Sequence, residues 1–248
     1  MEKVKVVVPI YTERLEGREL LSFRHNAEVL RRYPMAIVAP EGLNVDAVVA
    51  EAPHCEVVRV TSDWLGRNGI AGYNRMMLSR EFYALFEDCG YILICQPDAW
   101  IFRDELEQWC DKGFDYVGAP WPKRKIYDLP LIKQFLWLRK KLLARPERLM
   151  RQDYFNKVGN GGLSLRRIDS FIKACDHYHH IIEVFKQNRG TLWNEDWFWG
   201  LMPKEFRYPT FEEALGLSDE TDDAHDDASL ELEGATASAG AFGFFKSV

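Results

Sequence analysis

The stretch VKVVVPIY, Val4–Tyr11, decides the fold class of this chain. It is a run of mostly β-branched residues that stops at Pro9, which is typical of a strand buried on both faces in a parallel sheet. Two more short apolar strands follow, Met35–Pro40 and Cys55–Val60, with helices predicted between the strands. This alternation favours parallel pairing with helices packed on the sheet faces. The sequence therefore predicts an α/β protein with a central, mostly parallel sheet flanked by helices.

The composition is that of an ordinary globular protein: 248 residues, 47% hydrophobic and 28% charged. We predict one domain over residues 1–215 and an acidic, small-residue-rich tail over residues 216–248. The net charge of -6 argues against a nucleic-acid partner, whose phosphates need cationic contacts. We see no signal peptide and no apolar run long enough to cross a membrane. The 5 cysteines have no CxxC spacing, so we expect a cytoplasmic protein with reduced thiols.

A basic segment, Leu129–Arg148, predicts an amphipathic helix or pair of helices. Such a pattern can lie on an anionic membrane, or it can pack its apolar side on the core. We favour core packing, and peripheral contact with the inner face of a membrane remains the alternative.

The most hydrophobic predicted strand, in Tyr91–Phe102, breaks at Gln96-Pro97-Asp98. Ligands of open α/β sheets bind where such strands end. Asp98 could hold a divalent metal that bridges phosphates, or it could form a turn after Pro97. Both interpretations stay open.

Arg75 follows glycines in GYNRMMLSREFY, near the expected start of a helix over Gly69–Phe86. A guanidinium beside the helix-terminal N–H groups suits a diphosphate. An ordinary surface arginine is the simpler interpretation, and the local sequence favours it.

The glycine motif VGNGGLSLRR, Val158–Arg167, is the strongest local signal for a site. Glycines before a strand indicate that another group approaches the backbone closely. We predict that Asn160 and the exposed backbone amides beside Gly161 and Gly162 donate hydrogen bonds to sugar hydroxyls, with a tight turn or bulge as the alternative.

The motif NEDWFWG places Glu195 and Asp196 in the predicted first turn of a helix, with Asn194 as a candidate N-cap. Acids are common there because the helix dipole favours them. In the functional interpretation, Trp193 and neighbouring aromatic residues exclude water, which raises the pKa of a carboxylate and makes it a better base.

In this order, the motifs resemble DUF5672, a bacterial family of unassigned function viewed as glycosyltransferases with a GT-A-like fold. The matching stretches cover roughly residues 4–215 and are VVVPIY, GYNRMMLSREFY, YILICQPDAWIF, FDYVGAPW, VGNGGLSLRR and NEDWFW. The resemblance implies a donor-binding half over about 1–122 and an acceptor half over about 123–215. It also implies a nucleotide-sugar donor, which we expect to be UDP-linked, and a glycan or lipid-linked acceptor in surface polysaccharide synthesis.

The resemblance assigns roles to individual residues. Glu195 or Asp196 would be the catalytic base, and Asp98 would stand at the metal site. The donor would be bordered by Pro9, Ile10, Tyr11, Arg75, Gln96 and Asp98. The sugar or acceptor would contact Asn160, Gly161, Gly162, Trp121 and Trp193.

Two departures from the family pattern affect this assignment. QPDAW carries one Asp rather than an Asp-x-Asp pair, so Mn²⁺ or Mg²⁺ would be held by Asp98 with phosphates and water, or not needed. Related chains end in a segment like PFGCHAW, and Phe242 falls where its His would be. Either the protein works without that His, or its activity is reduced.

The sequence therefore predicts sugar transfer by direct displacement. Two alternatives from other classes remain. One is a non-catalytic carbohydrate- or nucleotide-binding module, and the other is a membrane-docked scaffold that uses the basic helix.

Overall fold

The computed structural model describes residues 2–123, 125–143 and 150–215. The strands of the main sheet are β1 Glu2–Pro9, β2 Met35–Pro40, β3 Glu56–Val60, β4 Cys89–Cys95, β5 Tyr116–Val117 and β8 Leu163–Arg167. A second, two-stranded sheet consists of β6 Pro120–Trp121 and β7 Lys157–Val158.

Helices pack around these strands. The α-helices are α1 Gly17–Val29, α2 Asp46–Val49, α3 Gly69–Met77, α4 Arg80–Ala84, α5 Leu106–Asp111, α6 Pro130–Leu143, α7 Ile168–His177, α8 His179–Gln187, α9 Glu195–Leu201 and α10 Phe211–Leu215. Short 3-10 helices span Lys125–Asp128, Arg151–Asp153 and Thr191–Trp193.

The main sheet has the strand order β3-β2-β1-β4-β8-β5. β1 pairs in parallel with β2 and β4, and β2 pairs in parallel with β3. β8 runs antiparallel to β4 and to β5. The predicted α/β class with a central, mostly parallel sheet is confirmed. The strand order also creates a switch point between β1 and β4, because the chain winds outward from β1 in opposite directions.

The side chains of successive strand residues pack alternately in the cores on the two sides of the sheet. Val6 of β1 and Leu93 of β4 pack on one side, with Phe23, Leu30 and Trp109. Val7 and Ile94 pack on the other side, with helical residues that include Met76, Phe82, Phe171 and Trp199. Because both faces are covered, these strands read as continuous apolar runs rather than alternating ones.

Several predicted elements are divided in the structure. The helix expected over Gly69–Phe86 is two helices, α3 and α4. The sequence of Asp169–Asn188 also predicts one long helix, and the structure has two there, α7 and α8. The sequence YVGAPW, Tyr116–Trp121, predicts a single strand, but the structure divides it between two sheets, with β5 on β8 and β6 on β7. A side chain at the intervening Gly118 would lie 2.7 Å from the backbone N of Asn160, so the backbone there is closely packed.

The preference for core packing of the basic helix is wrong. α6 has no buried residue, and its large apolar side chains are exposed or half-buried. Hydrophobic periodicity establishes that a helix has an apolar side, but it does not say what covers that side. Among the described residues, no helix is both long and apolar enough to cross a membrane.

Candidate functional site

A pocket of about 440 Å³ lies where β1 and β4 end, at the switch point of the sheet. Pro9 and Tyr11 reach it from the end of β1, and Gln96, Pro97 and Asp98 reach it from the end of β4. Ligands of open α/β sheets bind in this position, because the loops after neighbouring strands diverge there and leave a crevice. The pocket is therefore the candidate site.

The segment after β4 joins the pocket to the glycine motif. The backbone N of Gln96 donates to the carbonyl of Gly162 at 2.8 Å, which continues the pairing of β4 with β8. The next turn is closed by the N of Ala99, which donates to the carbonyl of Gln96 at 3.0 Å. Asp98 lies at the tip of this turn with its side chain exposed to the pocket. The turn therefore presents the carboxylate of Asp98 to a ligand.

The glycines of the motif make room for side chains of the protein itself. A Cβ atom at Gly161 would lie 1.8 Å from Oε1 of Glu195, and one at Gly162 would lie 2.6 Å from Oε1 of Gln96. Asn160 shapes the same turn, because its Oδ1 accepts a hydrogen bond from the N of Gly162 at 3.1 Å. The motif therefore allows an acid and an amide to lie against bare backbone, while its residues Asn160, Gly161 and Gly162 line the pocket.

Glu195 forms a buried ion pair with Arg166. Nη2 of Arg166 lies 3.0 Å from Oε1 of Glu195, and the two side chains are 0% and 3% exposed. The guanidinium also donates to Oγ of Ser164 at 2.9 Å and to the hydroxyl of Tyr83 at 2.8 Å. Burial raises the pKa of Glu195, and Arg166 opposes this effect. This network fixes one oxygen of Glu195 in place.

The second oxygen of Glu195 has no hydrogen-bond partner. Oε2 is buried, and no described residue bonds it, although Glu195 lines the pocket. An unpaired buried carboxylate oxygen is costly, so it is a candidate contact for a ligand hydroxyl or a water molecule.

Asp196 is more accessible than Glu195. Its side chain is partly exposed in the pocket, and its Oδ1 accepts a hydrogen bond from the N of Trp197 at 2.8 Å. Burial, reinforced by the neighbouring charge of Glu195, raises the pKa of Asp196 to about 8. A carboxyl with a pKa near neutrality is suited to exchange protons with a substrate.

An asparagine pair holds the start of α9, which carries both acids. Asn194 occupies the predicted N-cap position, but its side chain makes no capping hydrogen bond. Instead, Nδ2 of Asn74 donates to Oδ1 of Asn194 at 3.1 Å, and the N of Glu195 donates to Oδ1 of Asn74 at 3.3 Å. α3 thus supplies the contacts that position the acids.

The structure brings most of the predicted site residues together around this pocket. Those that line it are Pro9, Tyr11, Gln96, Asp98, Trp121, Asn160, Gly161, Gly162, Glu195 and Asp196.

Three predicted residues do not line the pocket. Ile10 is buried in the core below the sheet edge, because side chains of a strand alternate between its faces. Arg75 lies in the last turn of α3 rather than the first, where the helix dipole favours a cation. Trp193 packs against Phe185, with ring centroids 5.1 Å apart.

Sequence reasoning missed several residues of the site. Glu19, Tyr73 and Asn74 line the pocket from α1 and α3, and Arg166 lies behind Glu195. The sequence did contain a signal for Arg166, because an arginine on the same face of a buried strand as Ser164 needs a buried anion as its partner. Glu19, Tyr73 and Asn74 had none, because they lie on the surfaces of ordinary amphipathic helices.

The described residues contain no group of three or more His, Cys, Asp or Glu side chains that could hold a metal ion. Asp98 can supply a single carboxylate, which suits an ion such as Mg²⁺ that takes its other ligands from phosphates and water. Phe242, which falls at the position of the family's His, lies outside the described residues.

The architecture is shared with solved glycosyltransferase structures. An active-site mutant of LgtC is 14% identical, with a TM-score of 0.50 over 82% of this chain and 72% of that one. Galactosyltransferase LgtC in complex with donor and acceptor sugar analogs is 12% identical, with a TM-score of 0.49 over 77% and 68% of the two chains. TarS of S. aureus is 13% identical, with a TM-score of 0.40 over 88% and 66%. At such low identity, the similarity to the LgtC mutant shows the fold alone, and that fold is GT-A-like.

Comparison with protein sequences identifies a family but no activity. No curated protein sequence is significantly similar to this chain. A family described as "protein of unknown function (DUF5672)" matches residues 54–230, which include the end of β4, the glycine motif and the acidic pair. The chain belongs to the DUF5672 family.

Proposed function

We propose that this protein is a glycosyltransferase that moves a sugar from a nucleoside-diphosphate sugar to a hydroxyl of a glycan or lipid-linked acceptor. The observation that carries the proposal is Asp196, a partly exposed carboxyl with its pKa raised to about 8, in a pocket at the switch point of a GT-A-like sheet. Sugar transfer by direct displacement uses a group of this kind, because the acceptor hydroxyl loses a proton as it attacks.

The donor would bind over the ends of β1 and β4. Pro9 and Tyr11 would contact the nucleoside, and Asp98 with Gln96 would lie near the diphosphate. Arg75 does not line the pocket, so it is not assigned to the diphosphate. The start of α3 would bind the diphosphate instead, since Gly69 and Ile70 line the pocket and the positive end of a helix favours phosphate. A divalent ion held by Asp98 would offset charge on the diphosphate.

The acceptor would bind against the glycine motif and Trp121, whose ring can stack on a sugar face. Asp196 then takes the proton of the acceptor hydroxyl. The acceptor oxygen bonds to the anomeric carbon of the donor, the bond from that carbon to the diphosphate oxygen breaks, and the nucleoside diphosphate leaves. In this scheme Arg166 holds one oxygen of Glu195, and the other oxygen would accept a hydrogen bond from a ligand hydroxyl and orient it.

This scheme keeps the division into a donor half over about 1–122 and an acceptor half over about 123–215. The two halves share one sheet, since β8 of the second half pairs with β4 of the first. A UDP-linked donor and a role in surface polysaccharide synthesis in the cytoplasm of a bacterium remain part of the proposal.

The first test is the melting temperature of the protein with UDP, GDP, CDP or CMP, with and without Mn²⁺. A ligand that binds only the folded state raises the melting temperature by mass action. A rise with one nucleotide identifies the donor class, and dependence on Mn²⁺ supports a metal at Asp98. No rise with any of them contradicts the proposal.

The second test replaces Asp196 by Asn. Loss of a general base should reduce turnover about 10²- to 10⁴-fold while the nucleotide-induced rise in melting temperature stays. Asp169→Asn is the matched control, because Asp169 also lies in the first turn of a helix, α7, but is exposed outside the pocket. Nucleotide binding without turnover in the parent protein would instead assign a non-catalytic binding module.

A further inference from the structure

The outer side of α6 is an apolar stripe exposed to solvent. Leu131, Phe135, Leu138 and Leu142 are 81%, 63%, 49% and 72% exposed. Their spacing of three and four residues places them on one face of the helix. Exposed single apolar residues are normal on protein surfaces, but a contiguous stripe of four large ones indicates an interaction surface.

The side of α6 that carries Ile132 and Leu136 faces the protein. Ile132 and Leu136 are half-buried, and the side chain of Gln152 donates to the carbonyl of Leu136 at 3.0 Å. The helix therefore has a definite orientation on the protein, with its stripe turned outward.

The charged residues on α6 itself are all positive. α6 carries Lys133, Arg139, Lys140 and Lys141 and contains no acid. Lys140 is paired with Asp153 at 2.7 Å, and Nζ of Lys141 lies 5.1 Å from the ring centroid of Trp137. Lys133 and Arg139 have no ion-pair partner among residues 2–123, 125–143 and 150–215.

These charges select among the occupants of the stripe. Two copies of α6 packed stripe to stripe would bring basic flanks together with no acid in either helix, which costs free energy. A surface that is apolar inside and anionic outside matches both features of α6 at once. We infer that α6 docks the protein on an anionic lipid surface, with Leu131, Phe135, Leu138 and Leu142 inserted among the lipids and the basic residues at the headgroups.

Ring contacts connect this helix to the pocket. The 3-10 helix just before α6 carries Tyr127, which stacks on Phe155 at 4.7 Å, and Phe155 contacts Tyr154 at 5.3 Å. Tyr154 in turn contacts Trp121 of the pocket wall at 5.7 Å. If the proposed function is correct, docking through α6 would hold the acceptor side of the pocket near the bilayer, where a lipid-linked acceptor resides.

The test is cosedimentation of the whole protein with vesicles, without nucleotide, so that it does not depend on catalysis. One set of vesicles is phosphatidylcholine alone, and the other contains about one third phosphatidylglycerol. We expect binding to the anionic vesicles that weakens at high salt and is weak on the neutral ones.

Two pairs of substitutions separate the apolar and charged contributions. Leu131→Gln with Phe135→Gln should reduce vesicle affinity about 10- to 100-fold, because the insertion of two large apolar side chains is lost. Arg139→Gln with Lys141→Gln should reduce it about 30-fold through lost attraction to the headgroups.

The matched control is Arg31→Gln with Lys173→Gln, an exposed Arg and Lys elsewhere that give the same change in net charge. The control should bind like the parent, and every variant should keep the parent melting temperature. No binding to anionic vesicles, or equal loss in the control, would overturn the inference. A dimer at micromolar concentration that dissociates in the variant with Leu131→Gln and Phe135→Gln would also overturn the inference.

Discussion

The ion pair of Arg166 and Glu195 gives the sharpest prediction about stability. Glu195→Gln keeps the shape of the side chain and a hydrogen-bond acceptor, but it removes the charge that balances a guanidinium 0% exposed to solvent. Removing one partner of a buried pair costs about 3–5 kcal/mol, because the other charge is left uncompensated. The retained acceptor, together with the hydroxyls of Ser164 and Tyr83, places the expected cost near the lower limit, at about 3 kcal/mol.

Urea unfolding followed by fluorescence measures this cost directly, and the melting temperature should fall by about 6–12 °C. Asp196→Asn is the control: it changes the adjacent acid, leaves the pair intact and should not destabilise the protein.

A double-mutant cycle tests the cause. Arg166→Met removes the cation, so the variant with both substitutions should be less destabilised than the sum of the two single variants by at least about 1 kcal/mol. A Glu195→Gln protein that unfolds within about 0.5 kcal/mol of the parent would refute the reasoning, because the pair would then be dispensable for the fold.

Three further predictions concern the pocket. Asp196 has its pKa raised from 3.8 to about 8, so its ionisation destabilises the folded protein progressively between those pH values. Asp196→Asn should therefore be about 1–3 kcal/mol more stable than the parent at pH 8 and equal to it near pH 3. Because the side chain is partly exposed, this difference is smaller than the full about 1.4 kcal/mol for each unit of pKa shift. Urea unfolding at both pH values measures it. In the same way, transfer activity should increase with pH up to about 8, as Asp196 loses its proton, and a flat pH profile would contradict its role as the base. Gly161→Ala should cost about 1–3 kcal/mol in the free energy of unfolding, because its Cβ would overlap the fixed carboxylate of Glu195; Gly162→Ala should cost less, since Gln96 is partly exposed and can move, and equal costs would contradict this account.

The positions of the first strands could be predicted from the sequence. β2 occupies the predicted Met35–Pro40, and β1 and β3 lie within two residues of their predicted limits. Such strands are buried on both faces, so the apolar run itself carries the signal. The end of β4 before Gln96 was also predictable, because Pro97 cannot donate a hydrogen bond to a neighbouring strand.

Elements with a continuous amphipathic pattern were harder to delimit. α3 ends at Met77 and α4 begins at Arg80, yet the apolar spacing continues through both helices. The same is true of α7 and α8 around Tyr178. Periodicity reports which residues face the core, and it does so equally for one helix and for two that follow each other around the core.

By itself the sequence determined the fold class, the edge of the sheet where a site would form, and the glycine and acidic motifs that meet there. These follow from local burial patterns and from the rule that the ends of parallel strands share an edge. Tertiary structure alone decided that Arg166 holds Glu195 while Asp196 stays accessible, that Arg75 does not line the pocket, and that no residue of the described part of the chain covers the stripe of α6. Each of these depends on contacts between residues far apart in the chain, and a sequence pattern specifies which face of an element is apolar or charged but not which partner meets it.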